Sequence, residues 1–84
     1  MIATWHLVPT NRVRLSEELG DLDARRHTLD TKVRQAANQQ RYSADPHEKA
    51  QAAQDEAVYM AEMDRLMTRI RAVEAQLLLI AKRG

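Results

Sequence analysis

The sequence has no cysteine, no phenylalanine, two glycines, two prolines and three aromatic residues in 84. Each shortage excludes something. Without cysteine there is no disulfide framework, no thiolate zinc site and no thiol nucleophile. Two isolated glycines cannot build a phosphate-cradling loop, and the low aromatic content argues against a sheet. Charge of one sign is also lacking: 13 Lys and Arg face 12 Asp and Glu, for a formal net charge of +1. That balance exerts no strong general pull on nucleic acid or on an anionic membrane. The longest apolar block is Leu77-Leu78-Leu79-Ile80-Ala81, far short of the roughly 18 residues that span a bilayer. The start, Met1 to Pro9, lacks the basic segment and long apolar run of a secretory signal. The expected location is cytoplasmic, with no membrane partner.

What is present is helical periodicity. Leu15, Leu19, Leu22, Leu29, Val33 and Ala36 are spaced by 4, 3, 7, 4 and 3 residues. This heptad seam places a first helix over residues 10–42. Arg26 occupies the position skipped in the seven-residue step. Thr10 or Asn11 is suited to cap the start. Gly20 interrupts the pattern, at a cost of about 1 kcal/mol relative to Ala, and marks a close approach or a weak point. Acids come early (Glu17, Glu18, Asp21, Asp23) and bases later (Lys32, Arg34, Arg41), the order that suits the helix dipole.

Tyr42-Ser43-Ala44-Asp45-Pro46-His47-Glu48 then reads as a short loop, residues 43–45, and a helix start. Asp45 is the N-cap, Pro46 the first helical residue and Glu48 the returning carboxylate of a capping box. In the second helix, residues 46–82, Tyr59, Met63, Leu66, Ile70, Val73, Leu77 and Ile80 alternate steps of 4 and 3 without a miss. A short loop between helices of about 50 Å gives an antiparallel hairpin. Centring the loop on Ala44 or Asp45 makes facing residues sum to about 89. Leu19 then meets Ile70, Leu22 meets Met67, and Arg34 meets Asp55 and Glu56. Arg26 falls beside Glu62 and Asp64, so these three are candidate register charges.

Residues 1–9 are expected to form an extended or irregular lead-in ending at Pro9, its Trp5, Leu7 and Val8 packing near the Leu77–Ile80 end. The fold class is thus all-α: one domain, a two-helix hairpin with a short extended N-terminal segment. One narrow seam rarely stabilises so small a chain. Apolar residues also lie off the seam: Met60 and Met67 flank it, and Leu78 and Leu79 make the last turns apolar nearly all round. The expectation is a homodimer closing into a four-helix bundle. Its candidate interface comprises Leu15, Leu19, Leu22, Tyr59, Met63, Leu66, Ile70, Val73, Leu77 and Ile80. Trp5, Met60, Met67, Leu78 and Leu79 are the candidate surface for another protein, Met60 and Met67 through adaptable thioethers.

Chemical constellations are weak. His27 has Asp23 four residues before it and Asp30 three after, on one helix face, but no second histidine at ligand spacing; this is a solvated face with helix-spaced charge pairs. His47 belongs to the first turn of the second helix and His6 to the lead-in. Ser16 and Ser43 have no adjacent base. No catalytic residue, metal or cofactor is expected, and the chain is not expected to be an enzyme. The expected function is a small interaction module, an adaptor or inhibitor that occupies a partner protein's surface. The alternative is a nucleic-acid-binding dimer using Arg12, Arg14, Arg25, Arg26, Lys32, Arg34 and Arg41. Five acids interspersed among those seven bases leave an excess of only two positive charges.

Overall fold

A computed structural model of the chain describes the backbone of residues 2–83 and the side chains of residues 11–83. Two helices account for nearly all of it: α1, Ile2–Tyr42, and α2, Pro46–Arg83. No strand occurs among the described residues. The helices pack along their length as an antiparallel hairpin, a rod of 65 × 16 × 14 Å.

The lead-in differs from its expectation. Residues 2–9 are not extended but form the first two turns of α1, which runs through Pro9. The reason is the backbone. A lone strand has no partner for its N–H and C=O groups, whereas a helix satisfies them internally. Proline already holds a helical φ, but at the eighth residue of the helix it removes an i→i−4 bond and crowds the carbonyl four residues back, at a cost of about 3 kcal/mol. Thr10 and Asn11 are interior residues and not caps. The expected packing of Trp5, Leu7 and Val8 lies outside the described side chains.

Helix α1 ends at Tyr42, with the Ser43 N–H donating to the Gln39 carbonyl at 3.0 Å. Asp45 caps α2: its Oδ1 accepts the His47 N–H at 2.9 Å, and its carbonyl accepts the Lys49 N–H at 3.0 Å. Glu48 does not reach back to the Asp45 N–H as a simple capping box requires. Ser43 relays the contact instead. Its hydroxyl donates to Glu48 Oε2 at 2.8 Å and accepts from the Asp45 N–H at 3.3 Å. Both ends of the three-residue turn are thereby tied together.

The core is the heptad seam. Leu22, Leu29, Leu66, Ile70 and Val73 are buried, with Leu15, Leu19, Tyr59, Met63, Met67 and Leu77 packed against them. Toward the loop the buried residues are Ala36 and Ala52, whose size lets the helices draw close. The register follows the loop. Glu18 pairs with Arg69, and Lys32 lies 5.6 Å from the centre of the Tyr59 ring; these residue numbers sum to 87 and 91, either side of 89. Gly20 makes no close approach: an added Cβ would meet nothing within 4 Å, and none of the described residues has a positive φ.

Candidate functional site

Alternate 3- and 4-residue steps put one side of each helix into the seam and leave the opposite side to solvent. The outer sides of the two helices differ in chemistry. From Glu17 to Arg41, the only apolar side chain on the outer side of α1 is Ala24, among Asp21, His27, Thr28, Thr31, Arg34, Gln35 and Asn38. The hydroxyls of Thr28 and Thr31 donate to the carbonyls four residues back, at 3.2 Å in each case. The exposed large apolar groups of α2 are Val58 and Met60 in a first cluster, two residues apart and so on opposite flanks of Tyr59, and Leu78 and Leu79 in a second, each about half exposed. Ala57 and Ala61 extend the first cluster, and Ala72 and Ala75 the second. Between the clusters lie Asp64, Arg65, Thr68 and Arg71, all exposed.

No family model, curated protein or solved structure matches this chain. The functional reading therefore rests on these surfaces.

The ten residues expected at an interface between copies sit inside the hairpin. Nine of them form or line its core, and the tenth, Ile80, is half-buried beside Leu15. They hold α1 to α2; Leu22, Leu66, Ile70 and Val73 are buried there, and the other six are half-buried. Of the expected partner surface, Met60, Leu78 and Leu79 are exposed. Met67 is not: it folds down against the core and is half-buried. The Trp5 side chain lies outside the described residues.

The register charges are also rearranged. Arg26 pairs with Asp23 of its own helix at 2.9 Å rather than with Glu62 or Asp64. Arg34 pairs with Asp30 at 3.1 Å rather than with Asp55 or Glu56. Neighbours three and four apart on one helix reach each other more easily than groups across the seam. Glu62 lines a shallow groove with Arg25 and Arg65 on one flank of the seam, and Asp64 points outward.

The one ion pair between helices among the described residues is Glu18–Arg69. It is a bidentate fork at 2.6 and 2.8 Å. Hydrogen bonding from the Arg69 guanidinium, helped by its charge, holds the Glu18 carboxyl below its ordinary pKa; the same bonds raise that of Arg69. The residue types alone do not single out this pair. It flanks the seam one position to the side, and the register of about 89 brings the two residues within a turn of each other.

Shallow grooves of 320–520 Å³ run beside the seam. One, of 460 Å³ at the open end, has Leu15, Leu79 and Ile80 on its floor, with Arg14, Arg83 and Glu18 at its rim. Another brings His27 and Asp30 beside Arg26, Met63 and Met67. There, Asp23 and Asp30 are already held by arginines. No group of three potential metal ligands occurs among the described residues, and no described helix is long and apolar enough to cross a membrane.

Proposed function

We propose that the protein is a non-enzymatic, cytoplasmic interaction module that self-associates through the outer side of α2 and acts as an adaptor or inhibitor by occupying a partner protein's surface. The observation that carries this reading is the concentration of exposed apolar groups on α2: of six large exposed apolar side chains it carries four, and α1 has only Val13 and Tyr42, near its two ends. Val58, Met60, Leu78 and Leu79 face solvent there, while α1 between Glu17 and Arg41 turns polar groups outward.

The surface area supports it. The chain exposes 6712 Å², against roughly 5,100 Å² for a compact monomer of its mass by surface scaling. The elongated rod leaves an excess on the order of 1,600 Å², and a standard interface takes about 800 Å² from each partner. Two hairpins meeting through α2 make a four-helix assembly with the α1 helices outside.

Sedimentation equilibrium between 1 and 100 µM tests the proposal. Wild type is expected to be a dimer, Leu78→Asp with Leu79→Asp a monomer, and Gln35→Asp on α1 unchanged. A wild-type monomer across that range, with helical circular dichroism intact, refutes self-association. Nucleic-acid binding has less support, because Arg26 and Arg34 are engaged by acids of their own helix.

A further inference from the structure

The outer side of α2 carries a symmetry that chooses its occupant. Val58 and Leu78 lie equally far from Thr68, as do Ala61 and Ala75, and Asp64 and Arg71 lie equally far from the midpoint of Met67 and Thr68. We infer that this surface pairs with a second copy of itself, antiparallel, about a two-fold axis passing beside Thr68. The inference rests on the self-association proposed above and adds its geometry.

Three observations support the antiparallel choice. The first is charge. Inverting the second α2 about Thr68 brings Asp64 within one residue of the partner's Arg71, and this contact occurs twice by symmetry; it also brings Arg65 level with the partner's Arg71. A parallel pair in register would instead set Asp64 against the partner's Asp64 and Arg71 against the partner's Arg71. Neither group has a partner within its own chain among the described residues, so both are available. Arg65, one step round the helix, has a stem long enough to carry its charge to solvent.

The second is size. The inversion lays Val58 against the partner's Leu78 and Ala61 against the partner's Ala75. Leucine side chains at one end thus meet alanine and valine at the other, and large-on-small contacts interdigitate better than large-on-large ones. The third is the residue on the axis. The Thr68 hydroxyl already donates to the Asp64 carbonyl at 2.9 Å. Covering it leaves no orphaned donor, so the cost of burying a hydroxyl is offset inside its own helix.

The absence of cysteine makes the test clean. Single variants Thr68→Cys, Val58→Cys and Leu78→Cys are oxidised, or treated with a short bis-maleimide, at a concentration where sedimentation shows the wild-type dimer. Thr68→Cys is expected to cross-link with itself. Val58→Cys alone and Leu78→Cys alone are expected to stay single, whereas an equimolar mixture of those two cross-links. Asp64→Arg is expected to weaken the dimer roughly tenfold through two exposed pairs turned repulsive, and adding Arg71→Asp to restore it. If Val58→Cys cross-links with itself, the pairing is parallel and the inference fails. It fails equally if Thr68→Cys does not cross-link although sedimentation still finds a dimer. In both cases self-association stands, and only a wild-type monomer in sedimentation removes the two together.

Discussion

The two halves of the hairpin are held by different means. Away from the loop, Leu22 and Leu29 of α1 interlock with Leu66, Ile70 and Val73 of α2, and Val73 is completely buried. Next to the loop the buried residues are only Ala36 and Ala52, and the ends of the chain reversal are fixed by hydrogen bonds among Ser43, Asp45 and Glu48. One half relies on apolar area, which scales with side-chain size. The other relies on close approach and local polar geometry, where a missing partner matters more than a missing methyl. Substitutions of the same kind should therefore act oppositely in the two halves: truncation hurts the first, enlargement the second.

The largest effect is expected in the leucine half. Leu66→Ala or Ile70→Ala should lose about 2–5 kcal/mol in urea unfolding, the range for buried aliphatic truncations that leave a cavity. Protein concentration must be held constant, since association shifts apparent stability. Ala52, 1% exposed, provides the converse. Ala52→Leu should cost about 1–3 kcal/mol by overpacking, although leucine is as good a helix former as most. If Ala52→Leu is stabilising, the helices are not close-packed near the loop and the contrast is lost. Asp45→Ala should cost about 1 kcal/mol through the lost cap, with fraying at the start of α2 visible in amide exchange.

These differences explain what the sequence reveals. The α2 seam from Tyr59 to Ile80, the Asp45 cap and the register of about 89 are legible because each follows from a period or a local motif. The start of α1 is less so: Trp5 and Val8 continue the steps of 3 and 4 back from Leu15, but Arg12 interrupts them and Pro9 resembles a stop. Pairings of exposed arginines are equally opaque, since Arg26 has acids within reach on both helices and only side-chain geometry decides for Asp23. On the candidate surface, Met60, Leu78 and Leu79 stand out because they lie off an unbroken seam. Met67 stands out for the same reason, yet it flanks the seam closely enough for a flexible thioether to fold inward. Val58 lies within the apolar run Ala57-Val58-Tyr59-Met60-Ala61 but off the seam, and it gains meaning only beside Ala57 and Ala61 on the outer side of the folded helix.

Gly20 sharpens the comparison from the other direction. It lies in the leucine half but on the outer side of α1, where an added Cβ meets nothing within 4 Å. Gly20→Ala should therefore stabilise the hairpin by about 0.5–1 kcal/mol through helix propensity alone, read as a rise in the urea midpoint at unchanged slope. A loss of stability there would mean that the outer side of α1 is covered, and that α2 is not the sole face available to a partner.

The smallest effect belongs to the polar clasp of the leucine half. The Glu18 carboxyl titrates lower in the folded chain than its ordinary value of 4.5 because Arg69 donates two hydrogen bonds to it. A depressed carboxyl pKa means that the unfolded chain binds the proton more readily, so protonation favours unfolding. The contribution is fully present above pH 4.5 and is lost as pH falls through the lower, folded value. Comparing thermal midpoints of wild type and Glu18→Gln from pH 7 to pH 3 isolates it: the difference should be small, constant at neutral pH, and close up below about pH 4.5. Both side chains are a third to a half exposed, so added salt should shrink the same difference. A gap that persists at pH 3 would assign Glu18 a packing role, with its carbon stem serving the leucine half as apolar area and its charge contributing little.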